Sequence, residues 1–127
     1  MKKHKNTPII LDKKTVYIAK DVVFGENVII YPNNFIDSGT VIGNNVTILC
    51  GNHISSSKID DGAKVHYSYI EKSTIGKRTI VLPFCTIKDG TKIGANCKIY
   101  SYCYLTKEKL EDNTKIYASV FTNNITN

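Results

Sequence analysis

From Ile18 to Phe121 an aliphatic or aromatic residue returns on a near-constant beat: Ile18, Phe24, Ile30, Ile36, Ile42, Ile48, Ile54, Ile59, Val65, Ile70, Ile75, Val81, Ile87, Ile93, Ile99, Leu105, Leu110, Ile116. Of the seventeen steps, thirteen are six residues long and four are five. An amphipathic helix would repeat every ~3.6 residues and a half-buried strand every two, so neither explains the pattern. Self-similarity at a fixed period marks a repeat architecture. A six-residue unit suits one short strand plus one corner, which predicts an all-β fold: a single-stranded parallel β-helix of about six coils.

The positions between the beats agree with that reading. Small residues follow the apolar one at Ala19, Gly25, Gly43, Gly76 and Gly94, where a missing Cβ lets the backbone turn tightly. Four residues after the beat stand Val22, Val28, Thr40, Val46, Ala63, Thr79, Cys85, Thr91, Cys97 and Cys103. Such small or β-branched side chains pack on a pleated, half-buried surface. Free cysteine behaves there as a small hydrophobe, and Cys85 and Cys103 are expected to stack on successive coils. With Cys50, the four cysteines form no CxxC pair, so the zinc-ribbon spacing is absent.

Three repeats per coil make a three-sided prism in which every third aliphatic residue shares a column. The first column is followed by Ala19, Asp37, Ser55, Glu71, Lys88 and Thr106, which predicts a mostly polar outer face. The second is followed by Gly25, Gly43, Asp60, Gly76, Gly94 and Glu111, again polar or bare. The third differs, being followed by Tyr31, Leu49, His66, Leu82, Tyr100 and Tyr117. Strand neighbours point to opposite faces, so these six should form an outward ladder, flanked by Pro32, Tyr67, Pro83, Phe84 and Tyr102. A contiguous apolar stripe of this length exceeds what a soluble monomer exposes. It reads as a protein–protein interface, and one such face per prism suits a homotrimer.

Length and charge narrow the function. The 127 residues suffice for one domain: a basic tail over 1–8, the repeat domain over 9–121 and a short tail over 122–127. The formal net charge is +6, but the lysines are scattered among Asp, Glu and Asn, and Arg78 is the only arginine. A nucleic-acid binder clusters its basic residues, so no nucleic-acid partner is expected. No apolar run approaches the roughly 20 residues of a membrane helix, and the Ile9–Leu11 run is too short for a secretory signal. A cytoplasmic location without membrane attachment is expected. His4, His53 and His66 are too dispersed to suggest a metal site.

Several segments carry a family resemblance: the stretch from Ile10 to Ile18, VIIYPN (28–33), SSKIDDGAKVHYSYIEKSTIG (56–76) and VLPFCTIKDGTKIGANCKI (81–99). Together they resemble the hexapeptide-repeat acetyltransferase domain of the bifunctional glucosamine-1-phosphate acetyltransferase / N-acetylglucosamine-1-phosphate uridylyltransferase family. The resemblance implies a left-handed β-helix and a homotrimer. It also implies differences in chemistry. The family carries an arginine where this chain has Lys88, a sugar-binding lysine at Thr106, a general-base histidine at Ala118 and a sugar-contacting tyrosine at Phe121. Acetyl transfer to an amine needs a base to take its proton, which Ala118 cannot do. No cofactor is expected, because the family's acetyl-CoA-holding coils would lie past Asn127. The expectation is a non-catalytic scaffold or degenerate paralogue in sugar-nucleotide metabolism, with a partner or a second trimer at its last coil. The alternative is a small acetyl-CoA-dependent acyltransferase with a relocated base, for which His66 is the candidate.

Overall fold

A computed structural model describes residues 6–117. Every strand is two or three residues long and pairs in parallel with the strand one coil away. The pairing builds three flat sheets, one of seven strands and two of six. The first face starts at Ile9–Ile10 and ends at Lys115–Ile116; the second runs from Val16–Ile18 to Tyr104–Thr106; the third from Val23–Phe24 to Lys109–Leu110. This is the all-β solenoid of about six turns that the beat predicts, in keeping with a left-handed β-helix.

Register follows the repeat. Ile36 pairs with Ile54, Ile54 with Ile70, and Ile70 with Ile87, so aliphatic residues stack on themselves through the prism. Ile30, Ile48, Ile59, Val65, Ile75, Val81 and Ile99 are wholly buried. Both ends of the described prism are thinner: Ile10, Val16, Ile18, Leu110 and Ile116 are only partly buried. The solenoid also begins one strand before the regular beat. Ile9–Ile10 pairs with Ile29–Ile30, and the longer step to Ile18 accommodates a single 3₁₀ turn over Lys13–Thr15. Asp12 caps that turn by accepting from the Lys14 amide at 3.2 Å.

The glycines after the beat do not supply left-handed backbone. Positive φ falls two residues later on the edge between the third and first faces, at Asn27, Asn45, Gly62, Arg78, Asn96 and Asn113. Asparagine tolerates this region because its short side chain bonds locally. The glycines serve close approach instead: a Cβ on Gly25 would lie 2.7 Å from the Asn44 backbone nitrogen, and one on Gly94 would lie 2.8 Å from that of Asp112. That crowding arises because Asn44 and Asp112 reach back one coil. Their Oδ1 atoms accept from the Glu26 and Ala95 amides, each at 2.8 Å.

Under the edge between the first and second faces runs a buried polar ladder. Asn34 Nδ2 donates to the Tyr31 and Leu49 carbonyls; Asn52 Nδ2 donates to those of Leu49 and Val65. Asn34 Oδ1 accepts from the Asn52 amide, Asn52 Oδ1 from the Ser68 amide, and Ser68 Oγ from the Cys85 amide. Cys85 and Cys103 continue this column, both 2% exposed, as the sequence spacing predicts. Each side chain thus satisfies groups that a tight corner strips from the strand ladders, which buried polar atoms require.

Candidate functional site

Aromatic side chains gather around the same edge in three parallel stacks. The first is the ladder expected from the sequence. Tyr31, Leu49, His66, Leu82 and Tyr100 follow successive first-face strands, each held in register by a backbone bond to the next coil, such as Leu82 N to Ile99 O at 2.9 Å. Tyr117 completes the ladder and stacks on Tyr100, with ring centroids 4.7 Å apart. Tyr117 is well exposed, but the other five are half-buried, because each rung is partly covered by the rungs above and below. Leu11 extends the column by one coil, bonding from its amide to Ile30 O at 3.0 Å, and is exposed.

The second stack stands on the corner itself. Tyr67, Phe84 and Tyr102 have centroids 5.2 and 5.4 Å apart and are 50%, 52% and 70% exposed. All three hold left-handed backbone, with φ of 51°, 67° and 66°. A bulky side chain there costs roughly 1–2 kcal/mol. Earlier coils occupy the same left-handed corner with Asn33 and Gly51, which do so more easily.

The third stack corrects the expectation of a mostly polar second face. Tyr17, Phe35, His53 and Tyr69 follow one another at centroid distances of 4.8, 4.7 and 5.1 Å. Each precedes an inward isoleucine, whereas the face was judged from the residues that follow. On three-residue strands such as Val16–Ile18 the middle side chain points outward. The signal stands one position earlier, at Tyr17, Phe35, His53 and Tyr69, until Thr86 interrupts it.

The residues considered for chemistry lie apart from one another in role. His66 is a rung of the first ladder, its ring 6.4 Å from that of Tyr67, and bonds to no other described side chain. A histidine base is normally oriented by a third group. Lys88 Nζ lies 5.4 Å over the Tyr104 ring, and hydrogen bonding and charge at Tyr104 raise its pKa. Thr106 Oγ1 donates to Asp89 Oδ2 at 3.3 Å. Ala118 and Phe121 lie outside the described residues. Among the described residues, no three His, Cys, Asp or Glu side chains are grouped to hold a metal ion, and no helix is long and apolar enough to cross a membrane.

Comparison with known proteins places this geometry in context. A family model described as the GMPPB C-terminal domain matches residues 7–126. The bifunctional protein GlmU of Clostridium beijerinckii is 38% identical over 111 residues, covering 87% of this chain and 24% of its own length. GlmU of Clostridium botulinum strain Eklund 17B is 37% identical over 116 residues, 91% of this chain and 26% of its own. The chain therefore spans about a quarter of the length of the curated relatives it matches. The acetyltransferase domain of PglB from Neisseria gonorrhoeae is a structural neighbour with a TM-score of 0.42 and 18% identity, covering 76% of this chain and 51% of that one.

Proposed function

This chain belongs to the GMPPB C-terminal domain family, and from that premise we propose that it acts as a homotrimeric, non-catalytic scaffold beside cytoplasmic enzymes of sugar-nucleotide metabolism. The observation that carries the assembly is the corner stack Tyr67–Phe84–Tyr102, three exposed aromatics in a backbone conformation that disfavours them. An exposed apolar stack of this extent marks a protein–protein contact. In the assembly the aromatic edge faces the three-fold axis, and the first face of one protomer packs on the second face of the next. Two different patches meeting head to tail close into a ring, and this edge has an aromatic ladder on each side.

The relation to the GlmU proteins supports a role beside sugar-nucleotide enzymes, and the side chains support the absence of the parent reaction. Lys88 Nζ lies over the Tyr104 ring, and Thr106 is uncharged and donates to Asp89, so no cation for a sugar phosphate stands at that second position. Losing a general base alone typically costs 10²–10⁴-fold in rate. Incubation with acetyl-CoA and glucosamine-1-phosphate, assayed for free thiol, should stay at background. Turnover that is lost on His66→Ala would replace this reading with the relocated-base acyltransferase.

A further inference from the structure

We propose that a notch on the edge between the second and third faces binds a small phosphomonoester. The proposal is independent of the oligomeric state and of the scaffold role. It begins with two missing residues. The steps Ile54 to Ile59 and Ile70 to Ile75 are five residues long, whereas the flanking steps Ile36 to Ile42 and Ile87 to Ile93 are six. Two short corners, through Ser56 and Lys72, are thus set between two longer ones, through Gly39 and Gly90. The recess that results has a volume of about 360 Å³ and is lined by all four corners. That size falls within the roughly 300–1,000 Å³ of small-molecule pockets.

The lining selects an anion. Lys58, Lys72 and Lys92 reach it from three successive coils, and no carboxylate lines it. Asp37 and Asp89 flank its corners in sequence; Asp37 Oδ1 accepts from the Ser38 amide, and Asp89 Oδ2 from Thr106. Glu71 lies beside them on the second face. The floor is rigid, because the Ser57, Ser73 and Thr91 hydroxyls donate to the carbonyls of Ser55, Glu71 and Lys88 at 2.7, 2.9 and 2.9 Å. The Ser56 and Thr74 hydroxyls bond to no other described residue and remain available. Lysine ammonium groups act as point charges on phosphate, and hydroxyls complete its acceptor shell. One inorganic phosphate would leave part of the volume open, so the preferred ligand carries its phosphate on a small organic group.

Amide chemical shifts of the ¹⁵N-labelled protein, followed at constant ionic strength, test this with inorganic phosphate and with glycerol 3-phosphate. Saturable shifts are expected at Ser56, Ser57, Lys72, Ser73 and Gly90, with glycerol 3-phosphate binding at least as tightly as inorganic phosphate. Lys72→Gln with Lys92→Gln should weaken binding at least tenfold. Lys64→Gln with Lys115→Gln, the same charge change on the first face, should leave it unaltered. All four lysines are exposed in the single chain; because Lys64 and Lys115 lie on the first face, the mass of that variant in solution is checked before its binding is read. Shifts that never saturate, that weaken equally in both double variants, or that appear with inorganic phosphate alone would overturn the proposal and leave an adventitious ion only.

Discussion

Single side chains show where the chain follows its repeat and where it departs from it. Thr40 sits in the inward column of small residues, 1% exposed, and its Oγ1 is the buried side-chain oxygen without a partner among the described residues. An unsatisfied buried hydroxyl costs about 1–3 kcal/mol. Thr40→Val keeps the shape and removes the cost, so urea unfolding should show a gain of about 1 kcal/mol. Cys85 is the other informative residue. Burial pushes its thiol from 9.0 up to about 11. The folded state therefore holds the proton that the unfolded chain releases. That contribution is complete below pH 9.0 and is lost as pH rises towards 11. Over that window the stability of the parent should fall more steeply than that of Cys85→Ala, as read by urea midpoints across the alkaline range. Equal slopes would mean that the thiol is not desolvated. Phe84 differs from both, since its backbone strain and its stacking are similar in size and opposite in sign. In a Leu82→Lys, Tyr100→Lys background, Phe84→Asn should change stability by less than about 1 kcal/mol.

The coil is the element on which stability rests. Ile42, Ile75 and Ile93 form one inward column, at most 2% exposed, and Ile75 pairs with Ile59 on one side and Ile93 on the other. Ile75→Asp would leave an uncompensated charge among stacked aliphatics, at a cost of several kcal/mol. Circular dichroism should show a large drop in melting temperature; an unchanged melt would contradict the register. This part of the fold was legible in the sequence because burial repeats faithfully: every residue on the six-residue beat from Phe24 to Leu105 is apolar and buried. The corners were less legible. Left-handed positions are filled by Asn, Asp, Gly, Ser, Lys, Arg, Tyr and Phe alike, so residue type does not mark them. The glycines at 25 and 94 respond to a neighbouring coil 18 residues away, which local turn rules do not see. The second-face ladder escapes the beat for a simpler reason: Tyr17, Phe35, His53 and Tyr69 precede the inward isoleucines, and the residues after those isoleucines are mostly polar. The shortened corners at Ser56 and Lys72 were visible as spacing, but that they hollow out a notch is a three-dimensional consequence.

At the scale of the whole molecule the prism has two unlike sides. The edge between the first and second faces gathers Tyr67, Phe84 and Tyr102 between two aromatic ladders. The third face lies opposite and presents Lys58, Lys92 and Lys109 towards water. An apolar edge of this extent is the kind of surface that a partner covers, and in the proposed trimer its two flanking ladders would be the matching surfaces. The Leu82→Lys, Tyr100→Lys double variant should break the assembly while keeping the circular dichroism of the parent, because both side chains lie outside the inward columns. The most direct test of the account is the mass of the parent in solution, measured by sedimentation equilibrium at micromolar concentration. A homotrimer gives a single species with the mass of three 14.2 kDa chains. A species that stays at the mass of one chain throughout that range would contradict it.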